Sequence, residues 1–210
     1  MKNNFRHSFL FCLPAFILSV LTISLAAVEK TSYTNKEMDL KINLRRICAD
    51  SLTWQRVYFV EAVASGMESD KALGRFSKCE ADLAAIFKPF LGDTTSTQLN
   101  DLLNQYTQMM TDYINAAKSG GDKSYITGKI HDNADSIADI LSKSNMSWIR
   151  NDLTIMLRRY YDMIDSEIDT QVNKLGSLDT TVIDASMDEA MTIADYYSSG
   201  LMQQYPGNFW

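Results

Sequence analysis

Few of the side chains that build metal and acid–base sites are present in this sequence. Its 210 residues include only two histidines, His7 and His131, and three cysteines. Histidine is the commonest general base of enzymes and a frequent metal ligand. The chain therefore has too few histidines for most metal sites and most acid–base sites. The di-metal site of helical bundles needs two Glu-x-x-His pairs, and no Glu precedes His131 at that spacing. We therefore expect no metal site, no cofactor and no catalytic residue that the sequence can name.

Features that bind phosphate are also missing. The only adjacent glycines, Gly120 and Gly121, follow no predicted strand and so do not form a phosphate-binding loop. The chain carries 26 acidic and 20 basic residues, a formal net charge of −6. Its basic pairs at 45–46 and 158–159 lie among acidic side chains and form no basic stripe. We expect no nucleic-acid partner.

The N-terminal residues have the pattern of a secretory signal peptide. Two basic residues before position 8 are followed by an uncharged run, 8–28, that is rich in Phe, Leu and Ile and ends near small residues. We expect residues 1–26 to be a signal peptide cleaved after Ala26 or Ala27, which would place the protein in the periplasm or outside the cell. The run is also long enough to span a bilayer as an uncleaved anchor, and only then is a membrane partner expected. Pro14 interrupts the run and favours cleavage.

Cleavage would leave an acidic chain with one pair of cysteines. The mature part has 18 basic and 26 acidic residues, a formal net charge of −8, and keeps Cys48 and Cys79. An oxidising compartment allows a disulfide between them. That bridge requires the segment between the two cysteines to return along the first helix. Two separately buried thiols are the alternative, and the sequence leaves both open.

Apolar residues recur at helical spacing along almost the whole chain, and no alternating strand pattern is present. We predict an all-α fold, an antiparallel bundle of about five to six helices around a four-helix core. Residues 27–43 are expected to form a polar leader and the start of the first helix. Residues 44–210 are expected to form a single helical-bundle domain.

Breaks in the periodicity predict where helices begin and end. The first helix is expected to end at Gly66, followed by a short helical piece near 72–76. A further helix from Glu80 should stop at Pro89, because proline cannot continue the hydrogen-bond ladder. The run Asp-Thr-Thr-Ser at 93–96 is a strong N-cap signal for the next helix. The remaining helices are predicted from the apolar stripes at 99–117, 126–141, 148–175 and 183–201.

Several polar residues fall on or beside the predicted inward stripes. Arg56 lies beside the stripe of the first helix, and Asp195 lies beside that of the last. A polar group at such a position must find a partner, or it costs about 1–3 kcal/mol. We predict an ion pair between Arg56 and Asp195; the alternative is that both side chains extend to solvent. The stripe of the first helix consists of Leu40, Leu44, Ile47, Ser51, Trp54, Tyr58, Glu61 and Ser65.

Tyrosine and methionine are frequent on the inward stripes, and two interpretations of them stay open. A bundle usually holds an organic ligand in a concave pocket with a few polar groups, and Trp54 and Tyr160 would lie near such a pocket. The alternative is an ordinary packed core. The acidic runs at 132–135 and 162–169 lack the glycine and terminal glutamate of a calcium loop, and are typical of a solvated helix face.

Four short motifs occur in order: LTWQR at 52–56, FKPFLG at 87–92, DNADSIADIL at 132–141 and GLMQQYPGNF at 200–209. Together they resemble a family of small, mostly uncharacterised all-helical bacterial proteins. That family has Trp-Thr-Arg in the first helix, a Lys-Pro-Tyr/Phe-Tyr-Gly turn, Asn-Ala-Asp in a middle helix and Gln-Phe-Pro-x-x-Phe near the C-terminus. The resemblance implies a helical fold over about 44–209. Some members are labelled glycosyltransferases, but these residues contain no counterpart of that activity.

Matched by position, the family's Trp and Arg fall on Trp54 and Arg56, its Asn on Asn133, and its late Asp on Asp195. These positions and the polar residues near the stripes make up one set of candidate buried polar or pocket residues. The set is Ser51, Trp54, Arg56, Glu61, Asn133, Tyr160 and Asp195.

Two positions depart from the family pattern. A histidine of the first helix is replaced by Ser51, and a histidine of the long fifth predicted helix is replaced by Tyr160. If relatives bind a metal or haem through those histidines, the resemblance implies that this chain does not.

These features favour an exported bundle protein without enzymatic activity that binds a small ligand or a protein partner. One alternative is an enzyme, for example a transferase, with a carboxylate and tyrosine site inside the bundle. Another is a membrane-anchored scaffold that keeps its N-terminal segment. A pocket reached by Glu61, Asp195 or Tyr160 would favour ligand binding or catalysis, whereas a solid core would favour a structural role.

Overall fold

The computed structural model describes residues 32–65, 69–173 and 180–210. Within those ranges, no helix is both long enough and apolar enough to cross a membrane. The predicted signal peptide at 1–26 and the predicted helix ends at Gly66 and near residue 175 lie outside the described residues. Cleavage of the signal peptide therefore stays a prediction.

Five α-helices and one 3₁₀ turn account for nearly all of the described residues. They are α1 (Asn35–Ala64), α2 (Ser69–Ser119), α3 (Ser124–Ser144), α4 (Arg150–Asn173), α5 (Thr180–Gln204) and the 3₁₀ turn Pro206–Phe209. No strand occurs in these parts of the chain. The prediction of an all-α bundle is confirmed.

A capping box begins α1 inside the predicted polar leader. The Oγ1 of Thr34 accepts a hydrogen bond from the backbone N–H of Glu37 at 3.2 Å, and Glu37 Oε2 accepts one from the N–H of Thr34 at 2.9 Å. These bonds satisfy N–H groups that have no partner within the helix. At the other end, Ser65 adopts a left-handed conformation with φ 57° and ends the helix.

The long helix α2 consists of two antiparallel arms that meet at Gly92. Gly92 has φ 82° and ψ 170°, so the helical ladder breaks there, between the arms 69–91 and 93–119. The arms pack against each other, and Ser96 Oγ donates a hydrogen bond to the carbonyl of Ala84 at 2.7 Å. Because α2 consists of two arms, the five helices comprise six helical segments.

Two predicted boundaries in the first arm of α2 are wrong. The arm 69–91 is one continuous helix, although a short piece at 72–76 and a separate helix from Glu80 were expected. The helix also continues through Pro89 as far as Gly92. Pro89 has no N–H, so the backbone carbonyl of Ala85 has no hydrogen-bond donor within the helix. Ala85 is exposed, and water can donate to that carbonyl instead. The chain reverses at Gly92 because glycine can adopt the conformation that the turn needs.

Helices that follow one another along the chain run antiparallel. Between α3 and α4, Asp135 pairs with Arg158, and Asp139, further along α3, pairs with Arg150, earlier in α4. Helix α5 packs against α1 as well as α4, which closes the bundle. The closed arrangement places one face of every helix toward a common centre.

The inner face of α1 differs from the predicted stripe in its second half. Trp54 and Glu61 are only half-buried, although the stripe placed them inward. Spacings of three and four residues are both compatible with one helix face, so the pattern alone does not determine the rotation of the helix. The inner face of this half consists of Leu52, Gln55, Tyr58 and Phe59.

We expect Gly92→Ala to lower the free energy of unfolding by about 1–3 kcal/mol, because its combination of φ and ψ belongs to a region that only glycine occupies readily. Gly74→Ala is the matched control. Both glycines have open space where a Cβ would be added, but Gly74 is helical, so alanine there should stabilise by about 0.5–1 kcal/mol. Urea unfolding followed by circular dichroism measures both changes. Equal effects at the two positions would contradict the hairpin at Gly92.

Candidate functional site

A cavity of about 70 Å³ lies at the centre of the bundle, and all five helices contribute to its wall. One water needs roughly 10–15 Å³, so the space is larger than a packing defect. The wall is mostly apolar, with a few polar groups, which is the general form of a small-molecule site. The lining residues are Cys48, Ser51, Phe76, Glu80, Leu83, Leu99, Leu103, Tyr106, Ile137, Leu157, Tyr160, Tyr161, Ala190, Ile193 and Tyr197.

Glu80 is the only acidic residue in the cavity wall, and it is almost fully buried. The Oγ1 of Thr107 donates a hydrogen bond to Glu80 Oε2 at 2.5 Å. No Lys, Arg or His belongs to the lining, so no cation in the wall offsets a negative charge. Burial therefore raises the pKa of Glu80 to about 8, and the hydrogen bond from Thr107 opposes this only in part. At pH 7 the carboxyl is mostly neutral and can donate a hydrogen bond.

Gln55 links two tyrosines of the cavity wall through its buried amide. Its Nε2 donates to the hydroxyl of Tyr106 at 2.6 Å, and its Oε1 accepts from the hydroxyl of Tyr160 at 2.8 Å. The ring of Tyr106 stacks on that of Tyr161, with ring centroids 3.9 Å apart. Burial raises the pKa of all three tyrosines, so their hydroxyls keep their protons at neutral pH.

The two cysteines are separate, buried and free. Cys48 faces the cavity, whereas Cys79 lies near Asp50 and Asp82. Of the two alternatives left open by the sequence, the structure has two buried thiols and no disulfide. Burial raises the pKa of the Cys48 thiol to about 12, so it is protonated at neutral pH and is a poor nucleophile.

Only two of the candidate residues named from the sequence, Ser51 and Tyr160, line the cavity. Tyr160 is one of the residues that an enclosed pocket was expected to reach. Glu61 and Asp195, the other two, do not line it. The remaining candidates have other partners.

Arg56 pairs with Glu167 instead of Asp195. Its Nε lies 2.7 Å from Glu167 Oε2, and it also donates to the hydroxyl of Ser186 and to the carbonyl of Ile183. The predicted ion pair between Arg56 and Asp195 is therefore wrong. Antiparallel packing brings the beginning of α5, not its middle, next to Arg56.

Asp195 joins the first and last helices through a different arginine. The Nε of Arg45 donates to its Oδ1 at 2.6 Å, and the Nζ of Lys41 lies 3.6 Å from its Oδ2. Burial of the Asp195 carboxyl by itself would raise its pKa. The hydrogen bonds and positive charges of Arg45 and Lys41 outweigh that effect, so the pKa of Asp195 is lowered. The carboxylate is half-buried and lies at the outer edge of the contact between α1 and α5.

The other candidates have positions outside the cavity wall. The guanidinium of Arg75 lies over the ring of Trp54, 5.0 Å from its centre. Asn133 is buried and donates from Nδ2 to the carbonyl of Leu102 at 2.9 Å. Glu61 is half-buried on α1.

The acidic run 162–169 is not the uniformly solvated face that was predicted. Asp162 is exposed, but Asp165 and Glu167 are buried. Burial, with a smaller contribution from Asp162, raises the pKa of Asp165 to about 7. Glu167 is held by Arg56.

Two central residues, Glu80 and Gln55, are not among the candidate site residues predicted from the sequence. Glu80 follows Ala72 and Phe76 at four-residue spacing, and all three are buried on the same face of the first arm of α2. The sequence-based prediction divided this arm into two helices, at 72–76 and from Glu80, so the shared spacing of these three residues was not recognised. Gln55 lies on the inner face of α1 that the predicted stripe missed. A polar residue on an apolar stripe is the signal that identifies both.

Among the described residues, no group of three or more His, Cys, Asp or Glu side chains is arranged to hold a metal ion. Comparison of the chain with protein-family models, with curated proteins and with solved structures finds no significant match. The geometry of the cavity is therefore the basis for inferring a function.

We expect Arg56→Ala to lower the free energy of unfolding by about 3–5 kcal/mol, because it leaves the carboxylate of Glu167 buried without its cation. Arg46→Ala is the control, since it breaks an exposed pair with Asp50 and should cost at most about 1 kcal/mol. Urea denaturation of the two variants gives the comparison. An Arg56 variant as stable as the Arg46 variant would show that the buried pair does not stabilise the bundle.

We expect Glu80→Gln to be more stable than the wild type at pH 8. In the unfolded chain Glu80 loses its proton near its ordinary pKa of 4.5, whereas in the folded protein it keeps the proton up to about pH 8. Between these values the folded state binds more protons, so the free energy of unfolding falls as the pH rises, by up to about 1.4 kcal/mol per pH unit. Glutamine removes this dependence.

The measurement is urea unfolding of the wild type and Glu80→Gln at several pH values from about 4.5 to 8. The difference in favour of the variant should increase over this range. Asp165 adds a slope of the same sign to both proteins and cancels in the comparison. A constant difference between wild type and Glu80→Gln would contradict a neutral Glu80.

Proposed function

We propose that this chain is an exported helical-bundle protein that binds a small organic molecule in its central cavity. One observation carries the proposal: the centre of the bundle contains a mostly apolar space with a few polar groups in its wall, at a place where a purely structural bundle would have a packed core. The space has contributions from all five helices, so the whole fold takes part in forming it.

The polar groups of the wall support ligand binding because several of them are rigidly held. Tyr106 and Tyr160 are fixed by their bonds to Gln55, and Glu80 is fixed by its bond from Thr107. Groups held in place before the ligand arrives lose little conformational entropy when it binds. The apolar side chains between them would supply most of the contact area.

Binding is better supported than catalysis. The thiol of Cys48 and the hydroxyls of the cavity tyrosines all have raised pKa values, so none of them is an activated nucleophile or base at neutral pH. Glu80 is the one group of the wall that changes its protonation near neutral pH. A single acid without a paired nucleophile is suited to hydrogen-bonding a ligand.

Export rests on the sequence of residues 1–28 alone. The basic start, the uncharged run and the small residues at its end support a cleaved signal peptide. An exported binding protein of this size would meet its ligand outside the cytoplasm.

We expect native mass spectrometry of the protein from its own host to show a noncovalent small-molecule adduct that is lost on denaturation. Ala190→Leu places a larger side chain in the cavity wall and should abolish the adduct. Ala85→Leu makes the same substitution at an exposed helical position and should keep it. Thermal unfolding by circular dichroism checks that both variants fold, and Ser51→Leu is a second way to obstruct the cavity if Ala190→Leu does not. A wild type without an adduct, or an adduct retained in both obstructed variants, would contradict the proposal.

A further inference from the structure

The carboxyl of Glu80 has one oxygen bound by the protein and one left open. Oε2 accepts the hydrogen bond of Thr107, and no other described residue hydrogen-bonds to this carboxyl. Glu80 lines the cavity, so the cavity is the space from which a partner for Oε1 can come. When the carboxyl is protonated on Oε1, Oε2 is the carbonyl oxygen and Thr107 is its natural donor. The arrangement thus presents an O–H group to the cavity.

The groups that face Glu80 from the surrounding helices carry no positive charge. Helix α1 contributes Cys48, the second arm of α2 contributes Tyr106, α4 contributes Tyr160 and Tyr161, and α5 contributes Tyr197. From α3 only an isoleucine belongs to the wall. An anionic ligand would find no cation here, and burying its charge without one costs several kcal/mol.

A cationic ligand is also disfavoured by this wall. It would have to ionise Glu80 and bring its own charge into an apolar space, and the attraction between two buried charges often fails to repay their lost hydration. A neutral molecule with a hydrogen-bond acceptor has neither cost. Its acceptor would also take a hydrogen bond from the O–H of Glu80, for which no described residue supplies an acceptor.

We propose that the cavity selects small neutral molecules that carry a hydrogen-bond acceptor, such as a ketone or an ester, on an apolar body, and that the protonated carboxyl of Glu80 is the donor that recognises the acceptor. The inference rests on the proposed ligand-binding function and names the chemical class of ligand. The apolar body would lie against the apolar and aromatic side chains of the wall, which include the stacked Tyr106 and Tyr161.

The test uses four small probes of equal heavy-atom count: cyclopentanone, methylcyclopentane, cyclopentylammonium and isobutyrate. Each is titrated into the ¹⁵N-labelled protein, and the Kd is taken from shifts of the backbone amides around Tyr106 and Tyr160. We expect cyclopentanone to bind most tightly near pH 6.5, and methylcyclopentane, which has the shape but no acceptor, to bind roughly tenfold more weakly. The cation and the anion should not bind measurably.

The pH dependence of ketone binding identifies Glu80 as the donor. With a pKa of about 8, the neutral carboxyl falls to about one thirtieth of the population near pH 9.5, so the Kd for cyclopentanone should rise about 30-fold between pH 6.5 and pH 9.5. The other titratable groups of the wall keep their protons in this range, since burial raises the pKa of Cys48 to about 12 and those of the tyrosines further. The Kd for methylcyclopentane should not change.

Two variants separate recognition by Glu80 from a general effect of pH. Glu80→Gln keeps a hydrogen-bond donor but cannot ionise, so it should bind cyclopentanone with the same Kd at both pH values. Glu80→Met removes the donor, and it should bind cyclopentanone and methylcyclopentane about equally. Asp165 also titrates near this range, and its effect would persist in Glu80→Gln.

The outcomes distinguish the inference from the proposed function. Tighter binding of cyclopentylammonium or isobutyrate, or ketone binding that is independent of pH in the wild type, would overturn the inference and leave ligand binding in place. Equal binding of the ketone and the hydrocarbon would do the same. If none of the probes shifts the amides around the cavity at any pH, both the inference and the proposed function fail.

Discussion

The bundle depends on two adjacent polar residues in the second half of α1, Gln55 and Arg56. Gln55 hydrogen-bonds to Tyr106 of α2 and to Tyr160 of α4, and Arg56 bonds to Glu167 of α4 and to groups of α5. One turn of a single helix is thereby connected to three others. Polar groups buried in this way must all be satisfied at once, so these bonds select one register for the helices around α1.

The cavity follows from the same bonds. The amide of Gln55 holds the hydroxyls of Tyr106 and Tyr160, and the ring of Tyr106 stacks on Tyr161, so these large side chains cannot move inward to fill the space at the centre. Glu80 is held toward the same space by Thr107. The polar network and the cavity are therefore one feature, and the network keeps open a space that apolar side chains alone would close.

Most of the helical architecture could be predicted from the sequence, but only part of the candidate site. Local signals were sufficient for the fold class, because apolar spacing, cap residues and turn glycines act within a few residues of one another. The site was harder because it depends on the rotation of helices. Consecutive residues of a helix are about 100° apart, so a stripe placed on Trp54 instead of Gln55 exchanges the central amide for a half-buried edge residue. The predicted helix boundaries at Glu80 and Pro89 were also wrong, and for that reason the carboxyl of Glu80 was not identified as buried from the sequence.

The sequence by itself determined that the chain is helical and that polar residues occur on its inner faces. Only the tertiary structure decided their partners: Arg56 with Glu167, Asp195 with Arg45, and Glu80 with the cavity. The physical reason is that a buried polar group takes whichever partner the packing brings within about 3 Å, and residues more than a hundred positions apart along the chain are brought together only by the order and register of the helices. The helical periodicity of the sequence identifies which polar residues lie on an inner face and need a partner. The packing of the helices decides which residue becomes that partner.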